Sequence, residues 1–106
     1  MRRLTYTSAA RQNLVEIALG IAERSGSRAA GSAFVAKLEA RCEKLAALPG
    51  LLGTMRPELR PGIRSIVYTN YLIFFHYVGD VIEVVAILPG RRNLELLFEA
   101  YAANPH

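Results

Sequence analysis

Apolar residues recur along this chain with roughly helical spacing as far as Pro49 and with alternating spacing after Gly62. Before the helical pattern begins, Leu4 and Tyr6 alternate within Arg2 to Tyr6 and predict a short first strand. Thr7 or Ser8 then offers a side-chain oxygen to an orphan backbone N–H and starts a helix that runs to about Arg24. Leu14, Ile17, Ala18 and Ile21 form one face of it, with Glu16 and Glu23 on the wet side. Val15, Leu19 and Ala22 make a second apolar stripe, rotated by about 100° from the first. A helix lying on a sheet does not need two stripes. The second meets either a neighbouring helix of the same domain or a partner, and the sequence leaves both open.

Ser25-Gly26 ends the first helix, because Gly accepts the left-handed cap, and Ser27 can start the next. From Arg28 to Leu48 the apolar side is Phe34, Leu38, Cys42 and Leu45, with Glu39, Glu43 and Lys44 opposite. So short a connection predicts an antiparallel helical hairpin. Pro49-Gly50 stops the second helix, and the chain to Gly62 reads as a loop with at most one turn of structure. Three strands follow: Ile63–Tyr68, Tyr71–Val78 and Val81–Leu88, joined at Thr69-Asn70 and Gly79-Asp80. Counting outward from two-residue turns puts Ile63, Ser65, Val67, Leu72, Phe74, His76, Val85 and Ile87 on one face. Arg64, Ile66, Tyr71, Ile73, Phe75, Ala86 and Leu88 fall on the other. Both faces are largely apolar, so the hairpin covers one and something else must cover the second.

Length changes this picture little: 106 residues suit one domain, residues 1–106, with just over half of them apolar. Charge changes it more. The formal charge is +4, and all basic residues except Lys37 and Lys44 are Arg, the side chain suited to bidentate capture of carboxylate or phosphate. Coding bias explains the excess equally well. Residues 80–106 carry two Arg against Asp80, Glu83, Glu95 and Glu99, and no basic block resembles a nucleic-acid-binding tail. An acidic protein is as good a partner as nucleic acid. The single cysteine, Cys42, excludes an internal disulfide framework and lies on an apolar face as an inert core residue. With no signal pattern behind Met1 and no long apolar run, a cytoplasmic location is expected.

Candidate chemistry is sparse. His76 falls opposite Glu83 by the register, which reads as a cross-strand pair rather than a general base. No His/Cys/Asp cluster has metal-ligand spacing, and no phosphate-binding or dinucleotide fingerprint occurs, so neither metal nor cofactor is expected. What remains is arginine: Arg56, Arg60 and Arg64 through the loop, and Arg91-Arg92 after the last strand. Such a cluster can bind phosphate or carboxylate, but solvated loop arginines are an equally ordinary reading. Arginine alone cannot cut RNA, which needs a general base and a general acid at the scissile phosphate.

The loop Arg56-Pro57-Glu58-Leu59-Arg60-Pro61-Gly62-Ile63-Arg64 and the run Leu88-Pro89-Gly90-Arg91-Arg92-Asn93-Leu94 carry a family resemblance. Added to them are Ala10…Leu14…Ile17, Phe34…Leu38…Leu45…Leu48-Pro49 and Tyr71-Leu72-Ile73-Phe74-Phe75, in that order. Together they resemble the ParE branch of the RelE/ParE toxin superfamily along nearly the whole chain. The resemblance implies an α+β domain of order βααβββ, a helical hairpin packed on a small, mostly antiparallel sheet, to which a short C-terminal helix can be added. Ala86, Pro89 and Asn93 depart from the usual Arg, His and Asp.

The superfamily divides by mechanism. RelE-like members cleave messenger RNA on the ribosome; alignment on Tyr71 and Gly90 puts their basic positions on Ile63, Ser65 and Leu72 and their Tyr on Phe98. Only Arg92 survives of that set, although Tyr101 lies one helical turn beyond Phe98 as a substitute. ParE-like members instead poison DNA gyrase by contact, without catalysis, and are held inactive by a ParD antitoxin. The resemblance therefore implies a target-binding set of Arg56, Arg60, Arg64, Arg91 and Arg92. A ParD-like antitoxin would use Val15, Leu19, Ala22, Tyr71 and Phe75. The ribosome-dependent ribonuclease is the alternative.

Overall fold

A computed structural model describes residues 1–90. The expected C-terminal helix, with Arg91, Arg92, Asn93, Phe98 and Tyr101, lies outside the described residues. The elements are β1 (Arg3–Tyr6), α1 (Ser8–Ser25), α2 (Arg28–Ala47), β2 (Thr54–Met55), β3 (Arg64–Tyr68), β4 (Tyr71–Val78) and β5 (Val81–Pro89). The strands form one sheet of order β1-β5-β4-β3-β2, antiparallel except where β1 runs parallel to β5. The expected βααβββ order is observed, with one addition: the two-residue β2, inside what read as a loop.

Local chemistry sets these boundaries. Thr7 is the α1 cap, its hydroxyl accepting from the Ala10 amide at 3.1 Å, and Ser27 does the same for α2 through Ala30. Gly26, at φ +70°, closes α1 by donating its N–H to the Ala22 carbonyl. The helices then pack side by side, and Gly31 is what permits their approach, because a Cβ there would run into the Ala18 carbonyl. At Gly53, φ +84° turns the chain into β2, and a Cβ would stand 2.8 Å from the Phe75 ring. No alternating pattern announces β2, since only Thr54 and Met55 pair, with Ser65 and Arg64.

The hairpin buries one sheet face. Ala10, Leu14 and Ile17 of α1 and Leu38, Cys42 and Leu45 of α2 close over Ile73, Phe75, Ile82, Val84 and Ile87. Phe34 lies at the rim, its ring 5.6 Å from that of Tyr71 and 6.0 Å from that of Tyr68. On the far face Ile63, Leu72, Phe74, Val85, Ala86 and Leu88 form a second buried cluster, partly covered by Leu59 from the loop.

Counting outward from the turns gives the β3–β4 register correctly throughout, from Tyr68↔Tyr71 to Arg64↔Phe75. It also gives β4–β5 as far as Phe75↔Val84, with His76 opposite Glu83. There the expectation fails. Phe74 pairs with Ala86 and not Val85, because β5 carries one extra residue in a bulge. Ala86 and Leu88 therefore belong to the second face and Ile87 to the helix face, the reverse of the alternation count.

Candidate functional site

Among the described residues, two candidate reactive groups, His76 and Cys42, are already engaged or buried. His76 Nε2 lies 2.8 Å from Glu83 Oε1, each side chain about a third exposed (32% and 35%), as the cross-strand pairing implied. Cys42 is fully buried, and burial pushes its thiol up to about 11, so it stays neutral and unreactive at ordinary pH. Burial also raises the Tyr6 hydroxyl, whose electrostatic partner is that thiol. Among the described residues no group of three His, Cys, Asp or Glu side chains could hold a metal ion. No helix among them is long and apolar enough to cross a membrane.

The loop arginines do not converge. Arg56 Nε donates to Ser65 Oγ at 2.8 Å, and its Nη1 stands 3.7 Å from Glu58 Oε2. Arg64 Nη1 donates to the Leu52 carbonyl at 3.3 Å and reaches that of Gly53 at 3.5 Å. Neighbours on a strand point to opposite faces, so Ser65, which holds Arg56, and Arg64 itself lie on different sides of β3. Arg56 and Arg64 thus brace the loop from both faces of the sheet and do not form one patch. Arg60 is exposed at the end of a turn in which its amide donates to the Arg56 carbonyl.

The residues expected to meet an antitoxin separate more clearly. Val15 and Leu19 are 50% and 60% exposed, so the second stripe of α1 is not spent on α2. Ala22 and Tyr71 are half-buried. Phe75 is a correction: it is fully buried on the helix face of β4, under the hairpin and against Gly53, and no surface contact can use it.

Grooves flank α1 on both sides. One, of about 470 Å³, runs between the helices past Val15, Ala18, Val35 and Glu39. The other, of about 270 Å³, lies between α1 and the end of β5, floored by Ile17, Gly20 and Ile87, with Tyr71 and Arg24 on its walls. Leu19 lies outward between them, as its helical position requires. Gly20 opens the second groove by having no side chain, and the Arg24 guanidinium reaches over it.

Sequence reasoning missed Asn13, which is 2% exposed beside that groove and accepts from the Ile87 amide at 2.9 Å. The available signal was a polar residue flanking the stripe of Ala10, Leu14 and Ile17, in a helix interior where Asn is disfavoured.

Comparison with known proteins identifies this arrangement. The family described as "ParE toxin of type II toxin-antitoxin system, parDE" matches residues 4–94. Toxin ParE3 of Caulobacter vibrioides is 30% identical over 94 residues, covering 89% of this chain and 92% of that protein. Among solved structures, one described as the chromosomal ParDE TA system from P. aeruginosa superposes with a TM-score of 0.74 at 19% identity. It covers 86% of this chain and 98% of its own.

Proposed function

Because the chain belongs to the ParE toxin family of type II toxin–antitoxin systems, we propose that it acts by contact with DNA gyrase, without catalysis, and is neutralised by a ParD-like antitoxin. In this reading the whole chain, residues 1–106, is one toxin domain.

The observation that carries the antitoxin half is the exposure of the apolar Val15 and Leu19 on α1, with a partly apolar groove on either side. A partner helix laid along α1 would cover that stripe, which Ala22 extends, while Tyr71 lines the groove on the other side of α1. Arg24 and Glu16 both line that groove, so its edge offers both signs of charge.

For the target half, Arg56 and Arg64 are committed to the loop, so the weight of recognition moves to Arg91 and Arg92. The non-catalytic reading is supported by what occupies the positions where RelE-like relatives are basic. Ile63 and Leu72 are buried apolar side chains, and Ser65 is 2% exposed and bonded to Arg56. None is a general acid or base.

A supercoiling reaction with purified gyrase tests the proposal. Supercoiled product falls as the toxin is added and recovers when the antitoxin is added first. Unchanged supercoiling at a large excess of folded toxin would contradict it.

A further inference from the structure

α1 carries one glycine, Gly20, in its interior, where glycine is among the weakest helix formers. Packing explains Gly31 of α2, since a Cβ there would run into the Ala18 carbonyl. Among the described residues no such demand exists at Gly20. A Cβ there would meet only the Arg24 side chain, with Nη1 at 3.2 Å, and a guanidinium on a flexible stem can swing away. Nor does Gly20 take the left-handed backbone conformation that favours glycine. On these grounds alanine would serve α1 better.

What the glycine does is leave a groove open. The groove lies between α1 and the end of β5, floored by Ile17 and Ile87 and walled by Tyr71. The Phe34 ring backs that wall, 5.6 Å from the ring of Tyr71. At about 270 Å³ the space falls below the usual small-molecule pocket, roughly 300–1,000 Å³, and suits a single side chain. Glu16 and Arg24 line it with opposite charges, so it selects by apolar shape and not by net charge.

We propose that Gly20 keeps this groove open as a socket for one large apolar side chain of the antitoxin, and is thereby a specificity-determining residue of the toxin. The inference rests on the antitoxin reading given above. The occupant belongs to the antitoxin because Gly20 directly follows Leu19, which is 60% exposed. Successive helical positions lie about 100° apart, so a partner that covers Leu19 and straddles α1 meets the socket on the far flank. The free toxin then carries a weakened helix position whose use comes only in the complex.

The experiment compares full-length parent, Gly20→Ala and Gly20→Leu. Each is scored by melting temperature, by calorimetric titration with the purified cognate antitoxin, and by inhibition of gyrase supercoiling. Gly20→Ala raises the melting temperature of the toxin alone by about 3–6 °C. Gly20→Leu, which fills the groove, melts no lower than the parent and binds the antitoxin about 100-fold more weakly. Gly20→Ala binds with an affinity between the two.

A leucine variant that binds as tightly as the parent would overturn the socket. So would a lower melting temperature in Gly20→Ala, because the glycine would then serve the fold. Gyrase inhibition lost in Gly20→Leu while antitoxin binding holds would give the groove to the target, and that too overturns the proposal. A parent toxin that fails to bind the antitoxin refutes the antitoxin reading and takes the socket with it. A parent that binds beside an unaffected leucine variant leaves that reading standing and removes only the socket.

Discussion

Gly31 and Cys42 lie on the same helix and show how differently single residues can constrain this fold. At Gly31 any side chain would meet the Ala18 carbonyl, which is backbone and cannot swing aside. Gly31→Ala therefore forces the helices apart and costs about 1–3 kcal/mol, read as a lower urea midpoint with an unchanged slope. Cys42 constrains the protein through protonation. Its thiol is raised from 9.0 to about 11 by burial, so the folded state holds the proton more tightly than the unfolded state. Its contribution is fully present below pH 9 and is lost as pH rises toward 11. Tyr6 is raised in the same direction, so unfolding measured from pH 8 to 11 shows falling stability, and Cys42→Ala makes the fall shallower. The burial of Cys42 was legible from its place on an apolar helical face. Gly31 was not, because the need for a bare Cα arises only when two helices meet.

At the scale of elements, strand and helix identities followed from periodicity, whereas the bulge and β2 did not. From Val84 to Leu88 every residue is apolar, so alternation cannot say which faces the helices, and the hydrogen bonds made at the bulge come from Thr7 and Asn13, over seventy residues away (|i−j| 78 and 74). β2 is held by Gly53, inside what read in the sequence as a loop, and by Arg64, which read as a recognition group. The structure spends Arg64 on the Leu52 and Gly53 carbonyls. Arg64→Ala then destabilises the chain by about 1–2 kcal/mol through two lost acceptor contacts. Thermal unfolding would detect this, and a variant as stable as the parent would return Arg64 to the surface set. Arg56, held by Ser65, belongs to the same brace.

For the molecule as a whole, the sequence predicted two covered sheet faces and a helix with a spare stripe, and left the use of that stripe undecided. The exposure of Val15 and Leu19 shows that α2 does not cover it, because α2 approaches α1 along the Ala18–Gly31 side. Leu19→Asp should thus leave the fold intact, by circular dichroism and melting point, yet weaken antitoxin binding by about 2 kcal/mol or more in calorimetry. An unfolded variant would place Leu19 in the core instead. Beyond these surfaces stands the central claim that this toxin acts by binding and not by cutting. Its most direct test is to induce the toxin in cells and recover both plasmid DNA and ribosome-bound message from the same culture. Trapped gyrase predicts linear plasmid released by protease and detergent, with message ends unchanged. Newly cut message beside intact, supercoiled plasmid would contradict the claim.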